Sequence, residues 1–288
     1  MSNARKDDIT GTATTGHEWD GIEELDTPMP RWWLWTYLAC VIWAVGYWIL
    51  MPAWPLLSGY THGLLGYSQR ATVADDIKRA RAGQAVLRDR IAAASVEDVR
   101  KDPDMFAFAV GGGRSAFAVN CSPCHGSGAA GSRSYPNLND DDWLWGGTLS
   151  DIERTIRFGI RSGHPEARVN DMPAFVQSGI LTQAQASDTA DYVLSLSGQA
   201  GNAAAIKRGE AVFAQNCVAC HGERGGGNQQ LGAPNLTDGI WLYGGDKASV
   251  VIAIANGRRG VMPAWDERLD TATIKELAVY VHSLGGGQ

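Results

Sequence analysis

Two triplets of side chains stand out by type and spacing: Cys121, Cys124 and His125, then Cys217, Cys220 and His221. On a helical turn, positions i, i+3 and i+4 share one face, so each triplet can address one flat cofactor. Two cysteines three apart, with histidine directly after the second, form the attachment pattern of a c-type haem. The thiols make thioethers to the haem vinyl groups, and the imidazole takes one axial position on iron. Other chemistries compete. Four cysteines can build a disulfide framework, a lone C-x-x-C suits a thioredoxin-like pair, and the same spacing is half of a zinc site. Zinc wants four nitrogen or sulfur ligands close together, and no second C-x-x-C or histidine pair accompanies either triplet. Two identical units in register favour haem over all three.

A haem iron held by one histidine takes its sixth ligand from elsewhere. Met172-Pro173 and Met262-Pro263 lie 47 and 41 residues after His125 and His221. A buried methionine is ordinarily core packing, but the same loop position repeats in both halves, which favours ligation. A soft thioether favours the ferrous state and raises the potential, and a six-coordinate iron leaves no room for substrate. The expected set is Cys121, Cys124, Cys217 and Cys220 for attachment, with His125, Met172, His221 and Met262 on iron. Each iron is expected to take the methionine of its own copy. No residue is expected to be catalytic, and the cofactors are two covalent haem c groups with their iron.

Weaker candidates surround this set. His164, near Met172, competes for the first iron against the ordinary reading of an exposed loop histidine. His282 and His62 read as structural or exposed. Trp143 and Trp241 are candidates to donate an indole N–H to a haem propionate, and Arg258 or Arg259 to pair with one. Their ordinary readings are core packing and a solvated surface. Cys40 has no partner and reads as a small apolar side chain.

The triplets belong to a longer repeat. Phe117–Cys121 aligns with Phe213–Cys217, Pro136-Asn137-Leu138 with Pro234-Asn235-Leu236, and Trp143-Leu144-Trp145-Gly146-Gly147 with Trp241-Leu242-Tyr243-Gly244-Gly245. Met172–Phe175 aligns with Met262–Trp265, and Tyr192-Val193 with Tyr280-Val281. Repeats of this length are whole domains. The first copy carries eight extra residues between Gly159 and Met172, including His164. Each copy reads as three helices joined by glycine-rich loops. One runs into the cysteines, one covers Ser150–Phe158 or Lys247–Ala255, and one covers Ala184–Ser197 or Thr271–Leu284. Ser150-Asp151 and Asp270-Thr271 are the expected caps. No run shows sustained strand alternation, so the fold class is all-α. The short stretch Gly198–Ala205 between the copies suggests close packing.

Ahead of the repeat, Trp32–Leu50 carries no charge. About 20 helical residues span the roughly 30 Å hydrocarbon core. Trp32, Trp33, Trp35 and Tyr37 gather at one end and Tyr47, Trp48 and Trp54 at the other, the aromatic belts of a spanning helix. A cleaved signal peptide would have a basic lead, a shorter apolar run and a small-residue site; here the lead is acidic and about thirty residues long. The expected organisation is 1–31 as a poorly ordered cytoplasmic segment, 32–54 as the anchor and 55–103 as a spacer region. Two haem domains follow at 104–199 and 200–288. Ala71–Ala94 reads as a charged helix, acting as a spacer or a subunit contact.

The net charge of −6 argues against a nucleic-acid binder. Residues 101–199 hold eleven acidic groups against seven basic ones. That excess is a candidate docking surface for a basic redox partner, with an ordinary solvated face as the alternative.

Each repeat resembles a class I cytochrome c domain: C-x-x-C-H, Pro-x-Leu, then a Met-Pro loop. In that family a proline carbonyl accepts a hydrogen bond from the axial histidine, which the resemblance places at Pro136 and Pro234. One N-terminal transmembrane helix, a charged spacer and two such tandem domains together resemble the dihaem subunit of cbb3-type cytochrome c oxidases. The Trp-Leu-Trp/Tyr-Gly-Gly motifs and Gly59–His62 add to the likeness. Some members of that family have two spanning helices where this chain shows one. The resemblance implies a bacterial inner-membrane, single-pass protein with its haem domains on the periplasmic side. Its electrons would come from a donor cytochrome c or the cytochrome bc1 complex. They would pass to a monohaem cytochrome c subunit and on to the haem–copper oxidase catalytic subunit. The rival functions are a membrane-bound dihaem carrier for another reductase, and a dihaem peroxidase. The paired Met-Pro loops argue against the peroxidase, and the extra residues before Met172 keep it open.

Overall fold

A computed structural model describes residues 5–199 and 201–286. They form two compact units divided between Gly83 and Gln84, the first unit and the 84–288 unit.

The first unit opens with a hairpin of β1 (Thr14–Trp19) and β2 (Ile22–Leu25), paired antiparallel. This corrects the expectation of a poorly ordered leader. The turn is Asp20-Gly21, with φ of 52° and 83°. Two left-handed residues in a row suit a tight hairpin because their twist matches that of the strands. Helix α1 (Arg31–Leu50) follows, preceded by Pro30 and exposed along nearly its whole length. Its Trp33 and Tyr37 rings stack at 5.7 Å. Pro52 ends it, and the chain then turns through β3 (Pro55–Leu56) and β4 (Gly59–Tyr60). Leu64 and Leu65 N–H groups return to the Ile49 and Leu50 carbonyls at 2.9 and 3.1 Å. Those bonds satisfy carbonyls that a helix end otherwise leaves orphaned.

Helix α2 (Gln69–Ala93) enters the second unit at its C-terminal end. The spacer closes with α3 (Val96–Lys101), and the first copy then contributes α4 (Pro103–Asn120), α5 (Ser122–His125), α6 (Leu149–Phe158) and α7 (Gln183–Leu196). The second contributes α8 (Ala203–Asn216), α9 (Val218–His221), α10 (Lys247–Asn256) and α11 (Thr271–His282). Caps set most of these starts. Asp102 accepts from Asp104 and Met105 N–H, with Pro103 at the first helical position. Asn202, Asp246 and Asp270 cap α8, α10 and α11. At α6 the cap is Thr148, not the expected Ser150: its hydroxyl accepts from Asp151 N–H at 3.1 Å.

The two copies are neighbours in sequence but not separate in packing. One core joins α4 and α6 of the first copy to α11 of the second, through Phe117, Ile152, Ile156, Ile274, Leu277 and Val281. The other joins α8 and α10 of the second copy to α7 of the first, through Phe213, Val250, Ile254, Ala190, Val193 and Leu194. The crossings are tight. Gly113 lies against the Glu276 carbonyl and Tyr280, and Gly209 against the Asp188 carbonyl, so a side chain at either glycine would meet backbone. Ring pairs seal both crossings: Phe117 with Tyr280 at 5.5 Å, and Tyr192 with Phe213 at 5.2 Å.

The expected boundary at 199/200 therefore divides the repeat, while each core cuts across it. The cause is the short connection from Ser197 to Asn202. Consecutive elements on a short link pack as neighbours, so α8 takes α7 and α4 is left to take α11. The end of α2 docks on α11 as well. Arg88 pairs with Glu276 at 3.1 Å and Asp270 at 2.7 Å, while Lys275 donates to the Ala92 carbonyl at 2.8 Å.

Because α11 completes the first core, a chain cut to residues 84–199 is expected to show no cooperative thermal transition, whereas 84–288 melts as one unit. Circular dichroism melts of the two fragments check this. A cooperative 84–199 fragment would contradict the exchange.

Candidate functional site

Each attachment triplet sits at a helix junction. Cys121 and Cys217 end α4 and α8 with their N–H groups bonded to the Phe117 and Phe213 carbonyls. A single further turn, α5 or α9, then brings Cys124 and His125, or Cys220 and His221, onto the same face. Burial pushes the Cys121 thiol up to about 11, with Cys124 adding to the effect, and Cys217 behaves likewise beside Cys220. A reactive C-x-x-C pair shows the opposite, a lowered thiol. The thioredoxin-like reading loses its basis.

Histidine orientation comes from a backbone acceptor. His125 Nδ1 lies 3.2 Å from the Pro136 carbonyl, and His221 Nδ1 lies 3.1 Å from the Pro234 carbonyl. A ring that donates from Nδ1 keeps Nε2 as the free lone pair for a metal. Burial lowers the pKa of both rings, against a smaller opposing effect of those carbonyls. Both therefore stand neutral at physiological pH, the form that ligates iron.

The two methionines pack in an exchanged order. Met262 packs against the core that holds Cys121, Leu138 and Trp143. Met172 packs against the core that holds Cys217, Leu236 and Trp241. Backbone bonds fix both loops. Ile160 N–H donates to the Met262 carbonyl at 2.9 Å, and Met262 N–H returns to Ile160 at 3.0 Å. Met172 and Arg258 exchange the same pair at 3.1 Å each. Gly159 and Gly257, with φ of 73° and 69°, end α6 and α10 where a Cβ would run into the Met262 and Met172 carbonyls respectively. The pairing expected from sequence order, each histidine with the next methionine along the chain, is thus not the one the packing assembles.

The weaker candidates fall out unevenly. His164 is no exposed loop histidine: it stacks on Phe158 at 4.9 Å, and its Nε2 meets Asp266 at 3.2 Å. The eight-residue insertion that holds it closes on itself through Arg161 N–H to the Arg168 carbonyl at 2.7 Å. The Trp143 indole N–H is directed at the Gly286 carbonyl. His282 is buried and bonded to Arg100 through Nδ1 at 2.9 Å. Cys40 is exposed on α1. Sequence reasoning missed Arg168, whose guanidinium lies over Trp145 at 5.4 Å. Its signal was available as Arg-x-x-x-Met, present at both Arg168 and Arg258.

Tandem C-x-x-C-H elements, each sharing a core with a methionine and built from crossing helices, define a class I cytochrome c pair behind a helix long enough to span a membrane. The comparisons agree at two levels. The family model for the cbb3-type cytochrome c oxidase subunit III matches residues 109–193 and 204–281, and that for the N-terminal domain of cytochrome oxidase-cbb3, FixP, matches residues 11–58. The chain is 55% identical to the cbb3-type cytochrome c oxidase subunit FixP of Azorhizobium caulinodans, covering 99% of this chain and 97% of that one. It is 54% identical to FixP of a Bradyrhizobium species, covering 98% of each. It is 50% identical to the subunit CcoP of an Azospirillum species over the full length of both. The chain belongs to the family of cbb3-type cytochrome c oxidase subunit III. It is an electron-transfer subunit of an oxidoreductase complex, with cytochrome c domains that hold covalent haem c.

The loops carrying the two Trp motifs meet at Asp142. Burial, then Asp238, then Asp140 raise its pKa to about 6. A carboxyl whose folded pKa lies above its unfolded value, roughly 4, holds its proton more tightly in the folded state. The stability it lends is present below about pH 4 and lost as pH rises to about 6. Asp142→Asn is expected to remove that loss and to stabilise the protein at pH 7 by about 1 kcal/mol after solvent screening. Thermal melts of both proteins at pH 4.5 and 7 check it.

Proposed function

We propose that this chain carries two haem c groups and passes single electrons through them to the oxygen-reducing part of a cbb3-type oxidase. Cys121 and Cys124 would hold one haem and Cys217 and Cys220 the other. His125 with Met262 would ligate the first iron, and His221 with Met172 the second. When bound, the haems supply a one-electron ferric/ferrous couple that keeps its ligands in both states. This chain's residues keep the reorganisation small. Pro136 and Pro234 fix the imidazoles, and the paired backbone bonds at Ile160 and Arg258 hold the methionine loops in place.

The observation that supports this reading is a doubled arrangement, a backbone-oriented histidine beside cysteines that share one core with a strapped methionine. It also weighs against a dihaem peroxidase, which needs a displaceable ligand at one iron. The insertion before Met172 that left that function open is a self-closed loop, and Met172 itself is held by two backbone bonds.

Haem attachment of this type occurs outside the cytoplasm in the families the chain resembles. The 84–288 unit is therefore assigned to the periplasmic side of the bacterial inner membrane, with residues 1–31 inside. The donor in this reading is a cytochrome c or the cytochrome bc1 complex. The immediate acceptor is a monohaem cytochrome c subunit, followed by the haem–copper catalytic subunit. Tethering through α1 keeps the haem unit at high effective concentration beside them.

Affinity purification of the tagged chain from native membranes is expected to bring a haem–copper oxidase and a monohaem cytochrome c with it. Pyridine haemochrome assay of the product is expected to give two haems on this chain, falling to one when either cysteine pair is changed to serine. Isolation without any oxidase would support a free carrier for another reductase instead.

A further inference from the structure

Arg168 and Arg258 occupy equivalent places, each four residues ahead of a methionine that crosses to the other core. Each arginine stays with its own copy and lies over the aromatic ring of the repeated motif. Arg168 stands 5.4 Å from the Trp145 ring, and Arg258 stands 4.3 Å from the Tyr243 ring. Their counter-charges differ. Arg168 donates to Asp151 Oδ1 at 3.0 Å and to Thr155 Oγ1 at 3.1 Å, with a side chain only 10% exposed.

On α10 the positions equivalent to Asp151 and Thr155 are Ser249 and Ala253. Arg258 has neither partner, and its Nε is buried with no hydrogen-bond partner. The same corner receives a second cation. Arg133, from the first copy, donates to the Tyr243 carbonyl at 3.2 Å and to Ser249 Oγ at 3.1 Å. Of the nearby anions, Asp191 pairs with Lys247 and Asp171 with Arg259, while Asp246, bonded to Ser249 at the start of α10, meets the charge of Arg133.

We propose that this uneven compensation orders the two potentials, placing the haem on Cys217 and Cys220 above the haem on Cys121 and Cys124. Arg258 is the positioning residue that meets an anionic edge of the second haem. The proposal rests on the two-haem reading above. Reduction adds one electron to each iron, takes it from ferric to ferrous, and makes or breaks no bond and moves no proton. A cation facing the haem without its own counter-ion favours the added negative charge, and low dielectric magnifies the effect. At the first site Asp151 has already met the charge of Arg168, so the cofactor there faces a nearly neutral pair. At the second site Asp246 meets the charge of Arg133, and the charge of Arg258 remains. Electrons passing from the first haem to the second then run downhill.

Spectroelectrochemical titration of the full chain tests the order without prior assignment of either step. Asp151→Asn frees Arg168 and raises the first haem; Arg258→Gln lowers the second. If the second haem is the higher one, each change narrows the gap between the two one-electron steps. Arg258→Lys, which keeps the charge, holds the gap near that of the unchanged protein. A gap that widens in the Asn and Gln variants, or stays fixed in both, overturns the proposal. Should Arg258→Gln lose its low-spin spectrum, Asp151→Asn alone decides in the same way. A titration with one step and one haem per chain would instead contradict the two-haem reading itself.

Discussion

Two exchanged pairs of backbone hydrogen bonds, Ile160 with Met262 and Arg258 with Met172, govern how the 84–288 unit is put together. They set which methionine stands in which core, and they can form only because Gly159 and Gly257 let the crossing strands approach. The helices obey the same exchange. Gly113 admits α11 and Gly209 admits α7, and the ring pairs on either side repeat the pattern. Each crossing contact between buried aromatic rings adds about 0.5–1.5 kcal/mol beyond the area it buries. The result is one packed body in which the two repeats share both cores, not two beads on a string.

That construction suits electron transfer. Two repeats that share their cores cannot drift apart, so the distance between their Cys-x-x-Cys-His triplets is set by the fold and not by a linker. The loops of the two sites also touch directly: Ser134 N–H donates to the Leu242 carbonyl at 2.9 Å, and Asn170 donates to the Leu231 carbonyl at 2.7 Å. Gly232 lies so near the Trp145 ring that any side chain there would collide with it. Against this common frame, the sites differ in charge. The substitution of Ser249 for Asp151 and Ala253 for Thr155 breaks the symmetry at the arginine that each shell presents.

Much of this was legible in the chain. The Cys-x-x-Cys-His triplets, the repeated Met-Pro loops and the uncharged Trp32–Leu50 run each carry their chemistry in residue type and spacing. For α2, α6, α7, α10 and α11 the limits followed from caps and periodicity to within two residues, while α3 went unread; α6 began one residue early because Thr148, not Ser150, had the hydroxyl in reach of Asp151 N–H. The exchange was not read. Repeat alignment says which residues are equivalent, not which copies touch, and only the short Ser197–Asn202 link hinted that α7 and α8 must be neighbours. The leader hairpin was missed because its strands are short and polar, although Asp20-Gly21 is a strong turn signal. His164 was misplaced as an exposed residue because its partners, Phe158 and Asp266, come from a helix end and from the other copy.

The crossed methionines are the central claim, and proton NMR of the reduced protein addresses them most directly. Changing Cys217 and Cys220 to serine leaves a chain with only the first haem. An iron-bound methionine methyl in it is shifted far upfield by the haem ring current. Met262→Leu is expected to abolish that resonance and Met172→Leu to leave it in place. A resonance that survives Met262→Leu, or disappears with Met172→Leu, would contradict the crossed assignment.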